Sequence, residues 1–338
     1  MNHSSKLIIF TRFPAAGKTK TRLIPHLGAE GAAQLQKAMT EHTVRQARRT
    51  GVDIEVRYTG GSLEQMELWL GADLHYAPQG EGDLGERMER AFFDHFNAGT
   101  ERVVMVGSDC PSNGWKNMDA AFQALEKYDC VIGPASDGGY YLIGLCRAGA
   151  TTPPPRSRPS AALFQDIDWG GERVFEQTLK AASGLAVSQL KLLHDVDLPE
   201  DLPPRISVVI PALNEEQHLF QTLEKVGEGF NVEAIVVDGG STDETRKIVE
   251  GFYPYLLKYG YGRAAQQNIG AADATGELLL FLHADTLLPE RWDWIIRKTL
   301  ADPAVALGAF TFKIKEQMRG LEFIEKTANK RSRDWKLP

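Results

Sequence analysis

Cysteine is scarce in this 338-residue chain, and Cys110, Cys130 and Cys146 stand too far apart to form a CxxC pair. An odd count without metal-ligand spacing argues against a disulfide framework or a thiolate metal centre. It predicts reduced thiols in a cytoplasmic protein. Long apolar runs are missing too. KLIIF (6–10) is too short for a signal sequence and precedes no small-residue cleavage site, and LLLFL (278–282) falls far below the roughly 20 residues of a membrane span. No transmembrane segment is expected. A basic surplus is also absent: the formal net charge of −7 argues against a general nucleic-acid binder. Finally, Gly17-Lys18-Thr19 ends like a Walker A loop, but Arg12 stands where its first glycine belongs.

What is present is a soluble, globular composition, 43% hydrophobic and 25% charged, long enough for two domains. Apolar runs at 7–10, 53–58, 102–107 and 130–135 read as strands, separated by helical periodicity at 29–49, 62–70, 84–97 and 114–127. Ser62 with Gln65 resembles a capping box, and Gly51 suits a helix stop. TTPPPRSRP (151–159) reads as a proline-rich surface loop, and LPEDLPPR (198–205) as the domain boundary, giving domains 1–203 and 204–338. The second series has strands expected at 206–210, 234–237, 278–282 and 305–314, with helices at 215–226, 242–250, 263–274 and 290–300. Strands alternating with helices indicate α/β sheets with mostly parallel strands. The halves share a plan, each with a buried strand running into aspartate (VVMVGSDCP and LLLFLHADTLLP). Any two α/β domains share that much, so pattern alone leaves the likeness open.

The chemistry-bearing residues gather where strands end. In FTRFPAAGKTKTRL (10–23) a glycine turn at Gly17 follows a strand, among Arg12, Lys18, Lys20 and Arg22. That placement favours phosphate binding over a merely solvated positive face. Gln79, Gly85 and Arg87, near a helix start, are weaker anion candidates, because Glu86 and Glu89 can pair with Arg87. Asp238 and Asp285 stand at the C-terminal ends of apolar strands, where open α/β sheets bind ligands. Ser241 or Thr242 is expected to cap a helix beginning near Asp243. A carboxylate there, beside a diphosphate, suits a hard cation such as Mg²⁺ or Mn²⁺. Asp195 and Asp197 precede Pro199 and can either complete a metal site or cap a helix.

Four ordered motifs, ISVVIPALNEE (206–216), VVDGGSTDET (236–245), GRAAQQNIGAADATGELLLFLHADTLLP (262–289) and GAFTFKI (308–314), resemble family 2 glycosyltransferases of the GT-A fold. The resemblance implies a nucleotide-sugar donor, with Pro211, Ala212, Asn214 and Glu215 at the first turn, Asp238 on the nucleoside, and Asn268 within the third motif. His283-Ala284-Asp285 would occupy the DxD metal motif. His283 replaces its first acid and leaves Asp285 as the firm ligand, with His283 either a ligand or structural. HADT and NKRSR (329–333) look like the subgroup found with radical-SAM and arsenosugar-type clusters. The resemblance also implies an acceptor-binding half beyond the last residue, so the domain is expected to be an incomplete donor half. Glu322, Glu325 and Asp334 are expected to be solvated rather than to serve as the base.

The opening loop resembles that of nucleotidyltransferase-like GT-A domains, with Lys20 and Arg22 matching KTRL. APQGEGDLGERM (77–88), VVMVGSDCPSN (103–113), GPASDGGYYLIGL (133–145) and DVDLPEDL (195–202) extend the likeness across about 6–202. It implies Asp109 as a strand-end metal ligand, Asp137 in the substrate wall, and Asp195 with Asp197 as a late DxD. The expectation is two tandem GT-A-like (Rossmann-like) nucleotide-binding domains forming a metal-dependent transferase on nucleotide-activated sugars, inverting in the second domain, with a small-molecule acceptor. Lys20, Arg22, Asp109 and Asp137 would carry the chemistry. The alternative makes the first domain a nucleotidyltransferase releasing pyrophosphate and the second a non-catalytic nucleotide-binding module.

Overall fold

The computed structural model describes residues 5–147, 163–252, 256–314, 323 and 325–330. The expected loop at 151–159, Glu322, Asp334 and residues 331–333 of NKRSR lie outside them. The chain divides into two compact units, Met1–Arg205 with Phe230–Val232, and Ile206–Gly229 with Glu233–Pro338.

The first unit runs β1 (Ser5–Arg12), α1 (Ile24–Arg48), β2 (Asp53–Thr59), α2 (Leu63–Leu70), β3 (His75–Pro78), α3 (Leu84–Asn97) and β4 (Arg102–Gly107). It continues through α4 (Trp115–Ala124), β5 (Cys130–Pro134), β6 (Tyr140–Cys146), α5 (Val174–Ala181) and β7 (Val187–Gln189). Its seven strands take the order β3-β2-β1-β4-β6-β5-β7, and only β6 is antiparallel to its neighbours. The unbroken apolar run of β1 follows from burial on both sheet faces. Leu7 and Ile9 pack with Val44, Met66 and Met118 on one side, and Ile8 packs with Met88, Phe92 and Phe164 on the other. The expected capping box of Ser62 and Gln65 opens α2, and Asp83 with Glu86 makes another at α3. Parallel register places Arg12 opposite Thr59 and Phe10 opposite Gly107, so the loops after β1, β2 and β4 emerge at one edge.

The second unit runs β8 (Ile206–Ala212), α6 (Leu219–Gly227), β9 (Val232–Asp238), α7 (Thr245–Glu250), β10 (Leu256–Tyr259), α8 (Arg263–Asp273), β11 (Leu278–Phe281) and α9 (Trp292–Leu300). The sheet order is β10-β9-β8-β11, with β10 parallel to β9 and β11 parallel to β8. Trp292 is buried and donates through its ring nitrogen to Lys225 O at 3.2 Å, tying α9 to α6.

Two expectations are corrected here. Residues 305–314 form no strand, because backbone groups there bond to side chains instead of a ladder. Phe312 N donates to Asn329 Oδ1 at 2.7 Å, Asn329 Nδ2 returns to Phe312 O at 2.8 Å, and Ile314 N donates to Glu325. Glu325 is therefore engaged rather than simply solvated. Helix α7 starts at Thr245 rather than near Asp243, and Asp243 Oδ1 accepts from the N–H of Thr245 at 3.1 Å. Neither Ser241 nor Thr242 caps it.

Candidate functional site

Four aspartates and a lysine, drawn from four separate segments, meet at the C-terminal edge of the first sheet. The loop after β1 turns at Gly17, whose φ of 75° suits glycine. The turn is fastened by Lys18 N donating to Ala15 O at 3.1 Å and by Arg12 donating to Lys18 O at 3.2 Å. Arg12, Lys18 and Arg22 are exposed, while Lys20 points inward with only 6% of its side chain exposed. Its ammonium lies 2.9 Å from Asp109 Oδ1, 2.7 Å from Asp197 Oδ1 and 2.8 Å from Val196 O. Burial pulls the Lys20 pKa down, but Asp109 and Asp197 outweigh it and hold the lysine above its usual value. Arg22 stands further off, 3.8 Å from Asp197.

The segment 193–197 is laid along this edge by backbone bonds. Leu193 N donates to Pro134 O at 3.1 Å, Ser136 N to Leu193 O at 3.0 Å, and Val196 N to Asp109 O at 2.9 Å. Asp195 and Asp197 thereby come to Asp137, and one carboxylate oxygen from each lies within 4.8 Å of the others. Asp195 accepts from Ser136 Oγ at 3.2 Å. Burial, then Asp137 and Asp197, push the Asp195 pKa up, the mark of carboxylates crowded without enough positive charge. Asp137 is aimed by a turn that accepts no side chain. Gly138 has φ 88°, and a Cβ there would fall 1.9 Å from Glu172 O. The capping reading of Asp195 and Asp197 is not what the geometry provides. Asp201 accepts from the N–H of Asp197 at 3.1 Å and of Leu198 at 2.7 Å, leaving the other two acids to the cluster.

Asp109, expected as a metal ligand, lies 2.9 Å from the Lys20 ammonium, and the three-acid group is formed by Asp137, Asp195 and Asp197. Hard oxygen donors at this spacing fit Mg²⁺ or Mn²⁺. Gln79 is internal: its amide donates to Thr11 O at 3.0 Å and Arg57 O at 3.1 Å. Arg87 donates to Gly82 O at 2.8 Å, and a Cβ on Gly85 would collide with Phe164 O at 2.4 Å, so packing accounts for Gly85.

In the second unit the turns after β8 and β9 are woven together. Asn214, at φ 56°, donates its N–H to Ser241 Oγ at 2.9 Å, and its side chain accepts from Thr242 N at 2.9 Å. Glu215 N donates to Thr245 Oγ1 at 2.8 Å. Asp238 has a fully buried carboxylate that accepts from Gly240 N at 3.2 Å, Ser241 N at 3.1 Å and Arg246 Nε at 2.8 Å. Burial would raise its pKa, but the bonds from Ser241 and Arg246 prevail and hold it low. Asp238 thus organises the turn from within. Arg246, which sequence reading passed over, links it to the exposed Tyr259, whose ring centroid lies 5.1 Å from the guanidinium. Asp285 is exposed on a turn held by Thr222 Oγ1, which donates to Ala284 O at 2.7 Å; His283 is exposed beside it. Burial, Asp285 and Asp243 push the Glu215 pKa up, so Glu215 and Asp285 share one negative field. Pro211 is half-buried in β8, and Asn268 is exposed on α8. Among the described residues, the second unit assembles no group of three metal-ligating side chains.

Residues 42–171 match the family model "Uncharacterized protein conserved in bacteria (DUF2064)", and residues 207–333 match "Glycosyl transferase family 2". A crystal structure from Desulfovibrio desulfuricans G20, assigned as a nucleotide-diphospho-sugar transferase, is 34% identical over 59% of this chain and 84% of its own, with TM-score 0.53. That share is larger than the second unit, which begins at Ile206, can supply. Validoxylamine A glucosyltransferase of Streptomyces hygroscopicus subsp. limoneus is 34% identical over 30% of this chain and 25% of its own length. Poly(ribitol-phosphate) beta-N-acetylglucosaminyltransferase TarS of Staphylococcus aureus (strain Mu50 / ATCC 700699) is 31% identical over 30% and 18%. The chain thus spans a quarter or less of these two curated relatives. Among the described residues, no helix is long and apolar enough to cross a membrane.

Proposed function

Since the chain belongs to the nucleotide-diphospho-sugar transferases, we propose that its first unit binds a nucleotide-activated sugar and transfers from it to a small-molecule acceptor with the help of a divalent cation. The observation that carries this reading is the convergence of Asp137, Asp195 and Asp197 beside the cationic loop of Arg12, Lys18, Lys20 and Arg22. Asp137, Asp195 and Asp197 would hold Mg²⁺ or Mn²⁺, which supplies charge neutralisation on a departing diphosphate. Arg12, Lys18 and Arg22, exposed around the Gly17 turn, bind and orient the phosphates, and Lys20 balances the acids. Asp109 holds Lys20 in place. The main contribution of these residues is electrostatic and positional.

The second unit is proposed to bind a nucleotide sugar at Asn214, Glu215 and Asp285, with inversion at the sugar carbon if it turns over. The alternative for this unit is a nucleotide-binding module in which Glu215 and Asp285 share one negative field.

The test is a binding and product screen on the full chain with nucleoside triphosphates and nucleotide sugars, with and without Mn²⁺. Release of a nucleoside diphosphate from a nucleotide sugar supports the glycosyl-transfer reading. Pyrophosphate release from a triphosphate replaces it with nucleotidyl transfer in the first unit.

A further inference from the structure

Lys20 is the least ordinary residue of the first site. It sits in the left-handed region, φ 45° and ψ 46°, a strained setting for a residue that is not glycine. Its side chain is almost wholly buried, and all three ammonium hydrogens have an acceptor within 2.9 Å: Asp109, Asp197 and the Val196 carbonyl. Two consequences follow from chemistry alone. No Lys20 hydrogen is left over for a phosphate in this arrangement. Asp197, one of the three acids that would hold a cation, is already engaged by a positive charge.

We propose that Lys20 is a built-in counter-ion that competes with the divalent cation for Asp197, so that cation and nucleotide bind cooperatively. Without ligand, the ammonium neutralises Asp109 and Asp197 and keeps a lone cation weakly bound, because two positive charges at one carboxylate repel. Nucleotide phosphates draw the ammonium off Asp197, freeing that oxygen for the cation. The coupling is reciprocal, so cation raises nucleotide affinity by the same factor. The inference rests on the reading of Asp137, Asp195 and Asp197 as the cation site, and it adds that Lys20 sets when that site opens.

The experiment follows free Mn²⁺ by electron paramagnetic resonance during titration of the full chain, with and without a nucleoside diphosphate. All variants carry Asp285→Ala, which removes the second unit's contribution. Lys20→Met is expected to bind Mn²⁺ alone about 10-fold more tightly than the parent and to lose most of the nucleotide-induced gain. Lys20→Gln serves the same comparison if the methionine variant does not fold. Lys20→Arg, which keeps the charge, is expected to keep weak binding of lone Mn²⁺. Unchanged or weaker Mn²⁺ binding in the neutral variants, while Asp195→Asn still lowers it, overturns the Lys20 proposal and leaves the cation site standing. Mn²⁺ binding indifferent to Asp195→Asn overturns the site itself.

Discussion

Gln79 and Gln266 make the same pair of bonds, one in each unit. The buried amide of Gln79 donates to Thr11 O at 3.0 Å and Arg57 O at 3.1 Å, near the ends of β1 and β2. That of Gln266 donates to Ala212 O at 2.9 Å and Val237 O at 2.6 Å, at the ends of β8 and β9. Gln79 directly follows β3, whereas Gln266 sits within α8, so the two units reach one solution from different chain positions. The strand orders agree as well: β10-β9-β8-β11 repeats the order β3-β2-β1-β4 of the first unit. In both, one buried amide joins carbonyls of two neighbouring strands near the edge of the sheet.

Replacing either glutamine with leucine removes the amide donor from both carbonyls, although Ala212 O keeps its bond from Gly239 N at 2.8 Å. At about 1–3 kcal/mol for an unsatisfied buried group, a loss of roughly 1–3 kcal/mol in its own unit is expected. Urea unfolding of Gln79→Leu and Gln266→Leu reads this directly. Wild-type stability in both would show that water replaces the amide without cost.

Acid sensitivity of the first unit is expected to centre on Glu55. Burial would raise its pKa, but the nearby His95 and Arg57 lower it to about 2. Arg57 is itself buried and paired with Asp94 at 2.8 Å, and His95 Nε2 lies 3.2 Å from Glu55 Oε1. A depressed carboxylate pKa gives stability that is complete above the unfolded value of 4.5 and is lost as pH falls through the folded one. After allowance for solvent screening the contribution is roughly 2 kcal/mol. Glu55→Gln should therefore flatten the stability profile between pH 4.5 and about 2. The measurement is chemical unfolding at a series of pH values, and equal slopes in both proteins would remove Glu55 from the account.

Asp238→Asn tests the structural role given to that residue. The amide nitrogen would face donors from Gly240, Ser241 or Arg246, so at least one bond to a charged acceptor is lost in a buried place. About 1.5–3 kcal/mol is the expected cost to the second unit. Thermal unfolding measures it, and a nucleotide-affinity loss without any stability loss would return Asp238 to direct ligand contact.

Much of the scaffold was legible because it rests on local pattern. The apolar runs at 7–10, 102–107 and 130–135 are buried strands, and Ser62 with Gln65 is a capping box. The strands that escaped notice are short, as with β3, β7 and β10, or hidden behind a turn, as with β6 after Gly138-Gly139. Residues 305–314 carry strand-like composition, yet Asn329 and Glu325 take backbone bonds there, and no local signal in the sequence announces that. The same limit applies at the site. Lys20, Asp109, Asp137, Asp195 and Asp197 were readable singly as strand-end residues. That Asp137 joins the late acids while Asp109 holds Lys20 depends on the 193–197 segment pairing with Pro134, Ser136 and Asp109. Arg246, eight residues after Asp238, had no motif to mark it.

Gly138→Ala should damage the cation site while sparing the rest of the first unit. The φ of 88° and the 1.9 Å approach to Glu172 O force the turn to move, and Asp137 moves with it. A fall of about tenfold or more in Mn²⁺ affinity is expected from displacing one of three ligands. Retained affinity would mean that Asp137 is not a ligand.

The central claim is a cation-assisted nucleotide site at Asp137, Asp195 and Asp197. Calorimetric titration of nucleoside diphosphates and nucleotide sugars into the full chain carrying Asp285→Ala, with Mn²⁺ or with chelator, addresses it most directly. The expected result is binding near one molecule per chain that requires Mn²⁺ and is lost in Asp195→Asn. Binding of equal strength in chelator, or in the Asp195→Asn variant, would contradict the account.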